Sequence, residues 1–149
     1  MICYFDTSAL VKLYVEEDGS DIVTKAVERC SLVSTSKVAY AEARAAFARS
    51  RREGILTEID YEDIRENFQE DWTSYFSLEV TDRIIMKTGK LVERYCLRGF
   101  DAIHLASAIV LAESLKEEEL LTGCWDARLW EAFRKAGFKI IPPEQPGKK

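Results

Sequence analysis

The stretch MICYFDTSAL, residues 1–10, sets the apolar run Ile2 to Phe5 against an acid and two hydroxyls, Asp6, Thr7 and Ser8, before apolar character resumes. Four consecutive β-favouring residues read as a strand buried from both sides, the pattern of a parallel sheet covered by helices. Asp6 then falls where the strand hands over to the next element. A carboxylate there has two uses: capping a helix that begins near Ala9, or projecting from the carboxyl edge of a sheet as a functional acid.

Working outward, the same alternation repeats. Short β-rich runs occur at CSLVST (30–35), YFSLEV (75–80), EELLTG (118–123) and FKIIP (138–142), the last stopped by Pro142 and Pro143. Helical stretches are predicted between them over residues 8–16, 18–29, 36–53, 57–75, 81–95, 101–116 and 126–136. Gly54 and Gly137 end two of these, and a break at Arg98-Gly99 separates two others. Strands alternating with helices along the whole chain predict a three-layer α/β/α sandwich with a central parallel sheet, formed by a single domain over residues 1–142. Residues 143–149, PPEQPGKK with its first proline removed, read as a frayed tail.

The 149 residues suffice to bury a core without metal or disulfide staples. No leader precedes the first strand, and the longest apolar run, AIVLA after His104, is too short to span a bilayer, so a cytoplasmic protein is expected. Cys3, Cys30, Cys96 and Cys124 are widely spaced and share one histidine, which disfavours zinc and predicts reduced thiols. A net charge of −5 argues against a protein that coats nucleic acid. A local basic groove is still open: Arg44, Arg49, Arg51 and Arg52 fall within about two and a half helical turns. They are candidates to contact RNA or a protein partner, or form a solvated face.

Three further acids stand out. Glu42 sits in VAYAEARAAFA (38–48), a small apolar helix where an acid either faces a polar site or joins a surface ion-pair stripe with Arg49. Asp101 opens DAIHLASAIVLA, and Asp126 opens DARLWEAFRKAG directly after a strand; N-capping accounts for each alone. His104, one turn beyond Asp101, either orients a carboxylate or is a hydrogen-bonded core residue. Together, three acids lie where strand gives way to helix and a fourth faces inward, none with an obvious basic partner. Converging carboxylates repel unless a cation neutralises them, and all-oxygen ligands suit Mg²⁺ or Mn²⁺. Such a cluster supports phosphodiester hydrolysis by metal-activated water.

FDTSALVKLYVEE, VAYAEARAAFAR, GFDAIHLASA and DARLWEAFRKAGFKII resemble, in order and spacing, the PIN-domain ribonucleases of the VapC toxin type. The resemblance runs from about residue 2 to residue 142. It implies an α/β/α fold and Mg²⁺- or Mn²⁺-dependent endonuclease activity on RNA. It further implies a homodimer, neutralised by a VapB-type antitoxin. Carried over by position, Asp6 and Asp101 resemble the principal metal ligands, and Glu42 the acid completing the site. Ser8, or else Thr7, resembles the hydroxyl that supports the first aspartate. The last acid of the family follows a strand-ending Thr or Ser by two residues, whereas Asp126 stands four beyond Thr122; the D-x-x-L spacing to Leu129 still assigns it as the counterpart. This displacement supports an alternative, a catalytically silent PIN-like binding or assembly module. A receiver-like phosphohydrolase is disfavoured, because Asp6 has no acidic neighbour and no lysine ends a late strand.

Overall fold

A computed structural model describes residues 1–147. The first strand, β1 (Ile2–Phe5), sends Ile2 and Tyr4 into one hydrophobic layer and Cys3 and Phe5 into the other. That two-sided burial is what its unbroken apolar run requires. It is central in a five-stranded, all-parallel sheet ordered β3-β2-β1-β4-β5. The partners are β2 (Leu32–Ser36), β3 (Phe76–Leu78), β4 (Leu120–Gly123) and β5 (Lys139–Ile141). Tyr4 lies opposite Ser34 on one side and Thr122 on the other. The three-layer sandwich predicted from the alternation of runs is the observed fold.

Helices α1 (Thr7–Leu10), α2 (Ser20–Arg29), α3 (Val38–Arg52) and α4 (Glu58–Trp72) contribute to the layer containing Cys3 and Phe5. Its aromatic centre is Phe47 and Phe68 at 5.4 Å, flanked by Tyr14, Tyr40 and Trp72. Helices α5 (Asp82–Tyr95), α6 (Gly99–Ser114) and α7 (Ala127–Lys135) build the other layer. The near-continuous apolar character of α6 follows from its position, since Ala102, Leu105, Ala106, Ala108 and Leu111 are all buried. Among the described residues no single helix is long and apolar enough to cross a membrane.

The chain leaves β1 for β2 on one side, while β4 returns on the other. The carboxyl end of β1 is therefore a switch point, where a crevice opens between diverging connections.

Four expectations need correction. The helix expected over 8–16 is only α1 followed by a 3-10 turn, Val11–Leu13. It stops because the next segment folds back onto Lys12, whose Nζ donates to the Asp18 carbonyl at 2.6 Å and meets Glu17 at 3.0 Å. Helix α6 starts at Gly99, so Asp101 lies in its first turn and is not its cap. Cys3 and Cys30 form a disulfide, leaving only Cys96 and Cys124 as thiols. Their separation of 27 residues carries no local signal, but the fold sets β1 beside the end of α2, with the two Cα atoms 6.0 Å apart. Finally, part of the supposed frayed tail is engaged: Gln145 Nε2 donates to the Ala127 carbonyl at 3.0 Å, just beyond Pro142, whose carbonyl accepts from Trp130 Nε1 at 2.9 Å. Residues 148–149 of that tail lie outside the described residues.

Candidate active site

Asp6 ends β1 and is 4% exposed. It does cap α1, accepting from the Ala9 amide at 3.0 Å, but the cap uses only part of its capacity. Ser8 Oγ donates to the same carboxylate, 2.7 Å from Oδ1 and 2.8 Å from Oδ2, and the Cys124 thiol reaches Oδ2 at 3.3 Å. Ser8 is itself held by the Trp125 amide, which donates to its oxygen at 2.8 Å. No basic side chain touches Asp6 among the described ion pairs, and burial raises its pKa despite these donors.

Glu42 projects from α3 toward the same edge. Its Oε1 accepts from Thr7 Oγ1 at 2.6 Å and from His104 Nε2 at 3.0 Å. Thr7 therefore does not cap a helix; it holds Glu42, and the cap falls to Asp6. The predicted stripe with Arg49 is absent too, because Arg49 pairs with Glu53 at 2.9 Å. His104 is a buried residue of α6 and also orients a carboxylate. A carboxylate oxygen can only accept, so the imidazole proton sits on Nε2. Nδ1 then accepts from the Tyr4 hydroxyl at 2.9 Å, and burial keeps Tyr4 in its neutral, donating form. Burial pushes the Glu42 pKa up, but the hydrogen bonds from His104 and Thr7, together with the charge of Arg98, outweigh it and hold the group below the usual range.

Asp101 and Asp126 stand at the starts of α6 and α7. Asp126 is the N-cap of α7, accepting from the Leu129 amide at 2.9 Å. Both are bridged by a residue that the sequence marked only as a helix break. Arg98 Nε donates to Asp101 Oδ2 at 3.0 Å and its Nη2 to Asp126 Oδ2 at 3.3 Å. Asp101 nevertheless has a raised pKa, because burial outweighs Arg98, and the charge of Asp126 adds to the effect. The expectation that the acids have no basic partner is thus wrong for this pair. Among the described residues, no three potential ligands already gather around one point as a bound metal would require.

The Cys124 amide donates to the Ile141 carbonyl at 3.0 Å, one residue beyond the end of β4 at Gly123, and Asp126 follows two residues later. Burial raises the pKa of the Cys124 thiol well above the usual value, keeping it an S–H donor toward Asp6. Thr122, the residue from which the interval to Asp126 was counted, is turned away and donates to the Lys139 carbonyl at 2.7 Å.

The candidate arginines of α3 lie elsewhere. Arg44 donates to the Tyr40 hydroxyl at 2.9 Å, and Arg51 meets Glu58 at 3.3 Å while covering the Tyr61 ring at 4.0 Å. Arg52 is exposed. None of the four, Arg49 included, lines the cleft that holds Asp101 and Asp126.

Comparison with known proteins accounts for this arrangement. The PIN domain family model matches residues 3–116. Ribonuclease VapC49 of Mycobacterium tuberculosis (strain ATCC 25618 / H37Rv) is 34% identical over 143 residues, 96% of each chain. FitAcB from Neisseria gonorrhoeae shares the fold with a TM-score of 0.67 at 16% identity, over 96% of this chain and 98% of its own. A toxin-antitoxin complex from Klebsiella pneumoniae does so at 0.64 and 17% identity, over 96% and 98%. The fold is that of a PIN domain. The chain belongs to the PIN-domain family, in its VapC-type ribonuclease branch.

Proposed function

We propose that this protein is an Mg²⁺- or Mn²⁺-dependent endoribonuclease acting as the toxin of a VapBC-type pair, with Asp6, Glu42, Asp101 and Asp126 as its catalytic, metal-holding acids. The observation that carries this reading is Asp6, a carboxylate buried at the switch point with its pKa raised and, among the described ion pairs, no cationic side chain against it. Such a group is costly to ionise in place, and a hard cation offsets that cost.

The donor set fits the cation. All four side chains offer carboxylate oxygen, and Arg98, a cation of the chain itself, already sits between two of them. When bound, a divalent ion supplies an activated water and stabilises the charge that develops on the scissile phosphate. The chain's own contribution is orientation. Ser8, the Ala9 amide and Cys124 fix Asp6, while Thr7 and His104 fix Glu42 and keep it ionised. Arg98 occupies Oδ2 of both Asp101 and Asp126 and so competes with a cation for those oxygens.

Partners follow from the same reading: an RNA substrate, a VapB-type antitoxin that covers the acidic edge, and a second copy of the chain. Ile85, Met86 and Phe100 remain exposed on α5 and α6 and offer apolar area for dimer formation.

The purified protein should cleave RNA when given Mg²⁺ or Mn²⁺, and Asp6→Asn should abolish cleavage while leaving the circular dichroism spectrum unchanged. Full activity in Asp6→Asn, or in excess EDTA, would overturn the proposal.

A further inference from the structure

Beside the acids lies a cleft of about 900 Å³ whose lining is of two kinds. At one end are Asp101, Asp126 and their bridging Arg98. Beyond them are Arg94 and Arg128, neither of which forms an ion pair among the described residues. Arg128 donates only to the Cys96 carbonyl at 3.1 Å, and Arg94 lies 5.5 Å from the ring of Tyr95. Glu17 and Glu131 also line the cleft, but they pair with Lys12 and Arg134, which leaves Arg94 and Arg128 as two exposed guanidinium groups without acidic partners among the described residues.

Two aromatic rings accompany them, Tyr95 and Trp125. Trp125 is braced. Lys12 Nζ lies 5.0 Å from its ring centroid, and Gly19 approaches so closely that a Cβ there would come within 2.6 Å of the indole. Glycine at position 19 thus leaves room for the ring as well as supplying a φ of +92°. Lys12 is in turn anchored by Glu17 and the Asp18 carbonyl. A ring fixed in this way loses little freedom when something stacks on its remaining surface.

Resting on the ribonuclease reading above, we infer that this cleft is the binding track for the single-stranded RNA flanking the scissile bond. Arg94 and Arg128 hold backbone phosphates and Trp125 stacks on a base. Guanidinium groups recognise phosphate in their fork geometry, and an aromatic face accepts any base. The inference moves RNA contact from the arginines of α3 to the segments that precede and follow the catalytic acids. It also makes Trp125 the residue that holds a base beside the cut, whichever base that is. A protein ligand fits less well, because it offers no regular anions to the two arginines.

The test is fluorescence anisotropy with a fluorescein-labelled single-stranded RNA 12-mer of mixed sequence, in EDTA, across a salt series. Each melting curve is recorded alongside. Arg128→Gln and Arg94→Gln should weaken binding and each reduce the slope of log affinity against log salt by about one. Trp125→Leu should weaken binding about tenfold without changing that slope. Trp125→Phe, which keeps a ring, should recover part of the loss and separates stacking from misfolding. Arg52→Gln should bind as the parent does. Parent-like binding by all three cleft variants, or a larger loss in Arg52→Gln, would overturn the inference while leaving RNA cleavage intact. Unchanged RNA binding with loss of the complex formed on co-expression with the antitoxin would reassign the cleft to protein and also overturn it. If the parent protein neither binds nor cleaves RNA, the ribonuclease reading itself has failed.

Discussion

The imidazole Nε2 of His104 lies 3.0 Å from Oε1 of Glu42, joining the apolar α6 to the one acid of the site that comes from a helix interior. Behind it the Tyr4 hydroxyl occupies Nδ1, so a single buried ring connects β1, α3 and α6. His104→Ala removes Glu42's donor, strands the Tyr4 hydroxyl and opens a cavity, which should cost about 2–4 kcal/mol in a denaturant melt. His104→Gln keeps a donor and should recover much of the stability. A kcat that stays depressed in the glutamine variant, at unchanged KM for RNA, would mark His104 as positioning Glu42; a kcat restored in step with stability would reduce it to packing.

Arg98 competes with any cation for Asp101 and Asp126. Its side chain is 74% exposed, so the ion pairs it makes contribute little, about 1 kcal/mol or less. Arg98→Ala should therefore lower the melting temperature by no more than about 2–4 °C in EDTA. The same variant should show a larger Mn²⁺-induced rise in melting temperature than the parent. A smaller rise would mean that Arg98 helps to assemble the site.

Burial raises the pKa of Asp6, so the folded chain takes up a proton at a pH where the unfolded chain is still ionised. Its ionised form opposes folding at neutral pH. That opposition fades as the pH falls through the raised folded value and is gone below the unfolded value of about 3.9. Asp6→Asn keeps an acceptor for the Ala9 amide and should melt higher than the parent in EDTA at neutral pH. The advantage should vanish in melts below about pH 4. Asp101 acts in the same sense. Glu42, with its pKa lowered, acts in the opposite one: it contributes stability above about pH 4.3 and loses it as the pH falls through its folded value.

The Cys3–Cys30 link makes a chemical count decisive. Alkylation after unfolding without reductant should label two thiols, Cys96 and Cys124, and with reductant all four. Before unfolding only the exposed Cys96 should react quickly, since Cys124 is buried. Opening the link lengthens the free chain by a closed loop of 27 residues and should cost about 3 kcal/mol in the reduced protein's melt.

The features legible in the sequence were those written locally. The unbroken apolar run of β1 gave its two-sided burial, and the acids after β1 and β4 announced the carboxyl edge of a parallel sheet. What escaped depends on pairings distant along the chain. Arg98 reads as a helix break until α6 and α7 set their first turns side by side. Cys124 lies between the predicted strand and helix until a backbone bond to Ile141 ties it to β5. Thr7 reads as a support for Asp6 because the two are adjacent, whereas its bond to Glu42 spans 35 residues. Hydrogen-bond partners chosen by tertiary contact leave no trace in residue type alone.

The bridge from Arg98 to Asp101 and Asp126 also bears on how the molecule comes into being. Acids drawn together at one edge would ordinarily hinder the docking of α7 against α6. With its own counter-ion built into the turn before α6, the chain can complete that docking without any other cation.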